Sequence, residues 1–144
     1  MNVERVRDFL LSLPHVVETR QWGDSLLYWV GDKAIGGKMC AVMALEGRGI
    51  GALVAYPTTA ERFAELVELD GMEPAKYLAR LKWVSAMRWD VFRWAEWQEE
   101  LRAAHAITLA KLPPKTRTVL ALPKGEQRRM VAERRRMLAA KALK

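Results

Sequence analysis

The chain has 144 residues, 51% hydrophobic and 28% charged, which suits one ordinary globular domain and excludes disorder as a description of the whole. No apolar run approaches the roughly 18 residues of a membrane span, and the opening Met1-Asn2-Val3-Glu4-Arg5 lacks the basic-then-apolar layout of a signal peptide, so a soluble, cytoplasmic protein with no membrane role is expected. The formal net charge of +7 is unevenly placed: residues 1–110 carry 13 Lys and Arg against 15 Asp and Glu, whereas residues 111–144 carry 11 against 2. A near-neutral body with a basic arm is the pattern of a chain that meets an acidic partner or nucleic acid.

In chain order, Val3, Val6, Leu10 and Leu13 recur at helical spacing up to Pro14, with Asn2 as the cap. From Thr19 to Tyr56 the period changes. Leu26–Val30, Met39–Leu45 and Leu53–Tyr56 are apolar runs of strand length, separated by Gly23-Asp24, Gly31-Asp32 with Gly36-Gly37, and Gly47-Arg48-Gly49. Such turns predict an antiparallel meander. Thr58-x-x-Glu61 reads as a capping box opening a helix with Phe63, Leu66 and Val67 on one face, stopped at Asp70-Gly71. An irregular stretch over 73–80 leads into the strand-like run 82–87. Asp90 is then expected to cap the longest helix, whose stripe Trp94, Trp97, Leu101, Ala104, Thr108 and Leu112 should lie across the sheet until Pro113-Pro114. Runs of strands and helices without strict alternation predict an α+β fold of two layers: an antiparallel sheet with helices packed on one face. A basic helical tail follows, its apolar stripe of Met130, Met137 and Leu138 narrow and interrupted by Arg134. The division expected is a domain over 1–117 and a C-terminal extension over 118–144.

Several of these segments together resemble a known family. Ser12-Leu13-Pro14-His15-Val16-Val17-Glu18, Trp22-Gly23 before the first hairpin, Pro57, the block from Pro74 through Lys76, Tyr77, Arg80 and Lys82 to Trp83-Val84, and Ala110-Lys111-Leu112-Pro113-Pro114-Lys115 match the MmcQ/YjbR family of small bacterial proteins in order and spacing over residues 3–117. The resemblance implies a two-layer α+β fold similar to secretion chaperones and the DNA-binding label the family commonly carries. Two departures stand out: the tail beyond 118, and His15, where family members usually have glycine.

For chemistry, Lys76, Arg80 and Lys82 bring three cations next to Tyr77 and Trp83, a set that can neutralise phosphates while a ring stacks on a base; alternatively the aromatics anchor an irregular segment and the cations are merely solvated. Lys111, Lys115 and Arg117 extend the positive charge. On a tail helix, Arg128 falls over Arg135 and Arg129 over Arg136, two ridges that can follow phosphates or face a neighbouring subunit. Trp22, Trp29 and Trp89 are candidates for lining a small-ligand pocket. Gly36-Gly37-Lys38 and Gly47–Gly51 fail as phosphate cradles, because neither joins a strand to a helix in the required spacing, and read as hairpin turns. His105 flanks the long helix's stripe, His15 sits in an exposed turn, and Cys40 lies in an apolar strand, so no nucleophile-base pair is recognisable. A lone cysteine and two distant histidines offer neither disulfide nor zinc cluster. No enzyme and no cofactor or metal site is expected; the partners expected are DNA or, as alternatives, a protein partner, a homodimer or a small ligand.

Overall fold

The computed structural model describes residues 2–21, 23–44 and 52–143. Its elements are α1 (Val3–Ser12), β1 (Val16–Gln21), β2 (Ser25–Val30), β3 (Lys38–Ala44), β4 (Val54–Pro57), α2 (Ala60–Leu66), β5 (Met72–Pro74), β6 (Trp83–Ala86), α3 (Trp94–Ala110), α4 (Pro114–Leu120) and α5 (Lys124–Ala142). The six strands form one sheet in the order β1-β2-β3-β4-β6-β5, every neighbouring pair antiparallel. Thus β2 to β4 make the expected meander, β1 extends it at one edge, and β6 inserts between β4 and β5. The turn at Gly47-Arg48-Gly49 lies outside the described residues.

Period-two alternation sends Leu26, Tyr28 and Val30 of β2, Ala41 and Met43 of β3, Val54 and Tyr56 of β4, and Val84 and Ala86 of β6 to one face, where they form the main core with Val6, Phe9 and Leu10 of α1, Leu66 of α2, and Trp97, Leu101 and Ala104 of α3. The opposite face holds a smaller apolar cluster of Leu27, Trp29, Val42, Ala55 and Trp83, closed by Ala75 and Leu78 from the stretch between β5 and β6. The fold is α+β, an antiparallel sheet with α1, α2 and α3 on one face.

Local starts and stops follow simple capping physics, with some displacement from the positions read in the sequence. The side chain of Asn2 accepts from the Arg5 amide at 2.9 Å, as expected. Thr59, not Thr58, caps α2, accepting from the Arg62 amide at 3.1 Å, while the Thr58 hydroxyl donates to the Lys82 carbonyl at 2.7 Å and ties the end of β4 to the start of β6. Asp90 does not cap α3: it lies in a separate 3-10 turn over Trp89–Val91, and Arg93 precedes the helix, its amide donating to Glu96 at 3.0 Å. The longest helix is α5 with 19 residues, against 17 in α3. The stripe on α3 holds, with Trp97, Leu101, Ala104, Thr108 and Leu112 buried.

Two polar networks fasten the layers. Glu18 on β1 accepts from the Arg7 guanidinium at 2.7 Å and from the Tyr28 hydroxyl at 2.8 Å, joining α1 to the sheet. The hydrogen bond from Arg7 chiefly holds the Glu18 carboxyl below its ordinary range, while burial and then the hydrogen bond to Glu18 push the Tyr28 phenol up. A carboxyl depressed in the folded state contributes stability that is complete above its unfolded pKa and is lost as pH falls through the folded value. Glu18→Gln should therefore lose less thermal stability than the parent between about pH 6 and about pH 3, as followed by circular dichroism melts; identical acid profiles would contradict the assignment. On the other side of the core, the buried Glu100 accepts from the Tyr56 hydroxyl at 3.0 Å and pairs with Arg62 at 3.2 Å, linking β4, α2 and α3.

His15 has φ +65°, in the left-handed region that favours glycine. That backbone turn lets the His15 carbonyl accept from the Gly31 amide at 2.8 Å and start the β1–β2 pairing. The imidazole is exposed, so nothing in its packing offsets the conformational cost. His15→Gly should raise the unfolding free energy by about 0.5–1 kcal/mol, measured by urea denaturation; a loss of stability would show that the ring contributes more than the backbone costs.

Candidate nucleic-acid interface

The antiparallel order brings the start of β3, the end of β4 and the start of β6 to one end of the sheet, where the last turn of α3 meets them. There a cleft of about 250 Å³ opens. Lys38 and Met39 enter from β3, Pro57 from β4, Trp83 from β6, Leu78 and Leu81 from the loop before β6, and Ile107, Thr108 and Lys111 from the end of α3. Lys111 and the Trp83 block, remote in the chain, thus share one cleft. Lys38 joins them although the sequence reading treats Gly36-Gly37-Lys38 only as a turn. Knowing that β3 and β4 are antiparallel neighbours suffices to put the start of one beside the end of the other.

The stretch from Ala75 to Lys82 is shaped by two residues with left-handed backbone, Tyr77 (φ +65°) and Lys82 (φ +63°). Both are non-glycine residues in a conformation that costs free energy, and such positions recur where a surface is built for function. The consequence is a division between the two aromatics. Trp83 is buried against the second-face cluster, whereas Tyr77 projects with 95% of its surface exposed. The anchoring alternative therefore holds for Trp83 and Leu78 and not for Tyr77. Lys76 and Arg80, on the same stretch, are themselves exposed. Lys82 lays its ammonium 5.2 Å from the centre of the Phe63 ring.

The remaining cations divide sharply. Lys111 and Lys115 are exposed, and among the described residues no carboxylate lies within ion-pair distance of Lys76, Arg80, Lys111 or Lys115. Arg117 is turned inward to donate to the Leu112 carbonyl at 3.2 Å and to the Ala110 carbonyl, closing the C-terminus of α3. That use of its donors could not be read from sequence, because it requires α4 to fold back after Pro113-Pro114.

Helix α4 straddles residues 117 and 118, and its Val119 and Leu120 are buried. The Thr116 hydroxyl donates to the Ile35 carbonyl at 2.6 Å, an approach that needs Gly36, where a Cβ would collide with that hydroxyl. Beyond it, α5 leans on the body over residues 124–135. The Gln127 amide donates to the carbonyls of Leu120 at 3.0 Å and Leu122 at 2.6 Å, Val131 is half-buried, and Arg135 pairs with Asp32. Arg128 and Arg135 line the groove between α5 and the turn before β3, so this ridge faces the body. Arg129 pairs with Glu133 at 3.1 Å, and Arg136 is exposed. The groove lined by Arg128 and Arg135 is distinct from the Trp83 cleft.

The other candidates resolve as structural. A ring N–H of His105 donates to the Pro14 carbonyl across 2.7 Å, holding α3 to the turn after α1. Cys40 is buried, and burial pushes its thiol up to about 12, so it is protonated at neutral pH. Trp29 sits in the second-face cluster with its indole N–H on Thr19 at 2.9 Å, whereas Trp89 packs edge-on against Trp97 in the main core, so these two line no common pocket. Trp22 lies outside the described residues. Among the described residues, no helix is long and apolar enough to cross a membrane.

Comparison with known proteins places this architecture. The YjbR family model matches residues 11–107. The chain belongs to the YjbR family. A solved structure, that of the Deinococcus radiodurans protein DR2400, described by the domain model DUF419, superposes with a TM-score of 0.71 at 23% identity, over 85% of this chain and 89% of that one. At that identity the likeness shows a shared fold. The YjbR match ends within α3, so Lys111, Lys115 and α5 lie beyond it, while Lys76 to Trp83 lie inside. No curated protein matches the chain.

Proposed function

We propose that this YjbR chain is a non-catalytic, cytoplasmic protein that holds DNA weakly and with little sequence preference, through Lys76 and Arg80 with the projecting Tyr77 and through Lys111 and Lys115. What carries the reading is that these four cations are exposed and free of carboxylates among the described residues, two of them, Lys76 and Arg80, on the same short stretch as an aromatic ring 95% exposed. Solvated ammonium and guanidinium groups release counterions from a polyanion, and a fully exposed ring offers a stacking surface indifferent to base identity. Arg136 and the solvent side of α5 supply secondary contacts; Arg117, Arg129 and Arg135 already have partners within the chain.

Fluorescence anisotropy with a labelled duplex tests this. Binding is expected at about 50 mM salt and should weaken steeply by about 200 mM; no binding at the lower salt removes the reading. Removing residues 123–144 should weaken binding without abolishing it. Tyr77→Gly separates structure from function, because glycine suits the left-handed backbone while deleting the ring. Its fold should be as stable as the parent or more so, and its affinity for a single-stranded oligonucleotide should fall about tenfold. Unchanged affinity would exclude stacking by Tyr77.

A protein-interaction reading has one observation in its favour: Met137 and Leu138 of α5 and Leu143 just past it are 60%, 50% and 89% exposed. Multi-angle light scattering distinguishes it. A dimer that reverts to monomer on removal of residues 123–144 would assign α5 to self-association.

A further inference from the structure

We infer that the Trp83 cleft is a binding site for a small amphipathic organic anion, a compact aryl or short alkyl body bearing one carboxylate or phosphate. The cleft's shape and lining point to such a ligand. Its floor is Trp83, buried to 6% exposure, and its walls are Leu78 and Leu81 from the loop before β6 and Ile107 from α3, hydrocarbon surfaces contributed by two segments remote in the chain. Such a lining binds an apolar body by removing it from water. Two ammonium groups stand at the same cleft, Lys38 at the start of β3 and Lys111 just past α3. Among the described residues neither is paired with a carboxylate, so both are available to an incoming anionic group. A purely apolar ligand would leave these charges unused, and an inorganic anion would leave the hydrocarbon floor wet. Only a molecule with both parts satisfies the site. The volume of about 250 Å³ is suited to one or two fused rings or a short chain.

The walls are held in place by hydrogen bonds. The Thr108 hydroxyl donates to the Ala104 carbonyl at 2.9 Å within α3. Thr58, next to Pro57, anchors the Lys82 carbonyl beside Trp83. The Ala75 amide donates to the Trp83 carbonyl at 3.0 Å, and the Trp83 amide to the Leu78 carbonyl at 3.3 Å, so the loop that supplies two walls is pinned to the strand that supplies the floor. A site formed on such fixed backbone loses little order on binding.

The test uses the full chain labelled with nitrogen-15 and titrated with 1-naphthoate, with the neutral 1-naphthalenemethanol as comparator. Naphthoate should produce saturable shifts at the backbone amides of Leu78, Leu81, Ile107 and Lys111 and at the indole N–H of Trp83. The alcohol should bind at least about tenfold more weakly, the loss expected when a charged hydrogen-bonding group is removed. Lys38→Ala with Lys111→Ala should erase that preference while leaving the spectrum folded, since both side chains are exposed. Leu81→Glu, a change at a side chain already 58% exposed, should abolish naphthoate binding by placing a carboxylate at the cleft. Equal affinity for the acid and the alcohol, shifts confined to the groove under α5, or no saturable shift would each overturn the assignment. The readout involves no nucleic acid, so this site and the DNA reading can fail separately.

Discussion

Replacing Trp97 by alanine should lower the unfolding free energy by about 3–5 kcal/mol, the largest loss expected from any single substitution in this chain. Trp97 is fully buried at the start of α3, and three aromatic rings meet it edge-on: Phe92 at 5.0 Å, Trp89 at 5.4 Å and Tyr56 at 6.3 Å between centroids. Its indole N–H also donates to the Trp89 carbonyl at 2.8 Å. Alanine would leave a cavity bounded by rings that cannot collapse into it and would strip the carbonyl of its donor. Against a total stability of about 5–15 kcal/mol for a domain of this size, such a loss should be plain in a urea titration. Trp97→Phe should recover most of it, because the edge contacts return and only the hydrogen bond stays missing. If alanine cost less than about 1 kcal/mol, α3 would not be seated on the sheet as described.

The second large effect concerns binding. The combined variant Lys76→Ala, Arg80→Ala, Lys111→Ala and Lys115→Ala removes four exposed cations whose side chains make no ion pair among the described residues, so the fold should tolerate it within a few tenths of a kcal/mol per site. Affinity for a duplex at low salt should fall by about a hundredfold. The slope of log affinity against log salt should also shrink by about 3 to 4, since each neutralised phosphate contributes about 0.9. The slope is the sharper test. A general loss of structure would lower affinity too, but circular dichroism would report it. An unchanged slope would mean that the phosphates lie elsewhere, on α5 above all.

How far sequence reached can be judged element by element. Strands β2, β3 and β4 are legible because both their faces are buried, which writes them as unbroken apolar runs. Edge strand β1 is not legible: Val16-Val17-Glu18-Thr19-Arg20-Gln21 looks polar until one knows that Glu18 answers Arg7 on α1 and that Thr19 answers the Trp29 indole. Likewise β5 is three residues long and ends in proline, too short to show a period. The α3 stripe is legible over five turns, yet its start is misplaced at Asp90 because a separate 3-10 turn precedes it, a tertiary detail with no local signal.

At the site, the cation cluster around Trp83 is visible in composition, but not which ring faces water. That outcome depends on the left-handed backbone at Tyr77, an unusual conformation for a tyrosine that no residue pattern announces. The joining of Lys38 to that cluster follows from strand order, which the meander suggests, and that of Lys111 from the seat of α3 across the sheet. The withdrawal of Arg117 and Arg135 into partners of their own follows from how α4 and α5 fold back, which side-chain charge alone does not encode, whereas Arg129 pairs with Glu133 four residues on within α5.

The most direct measurement of where a polyanion sits is a map of amide shifts on the nitrogen-15-labelled chain as a short duplex is added at low salt. The account requires the largest changes over residues 76–82 and 111–115, with smaller ones on the solvent side of α5. Changes confined to residues 124–142, or none at all, would contradict it.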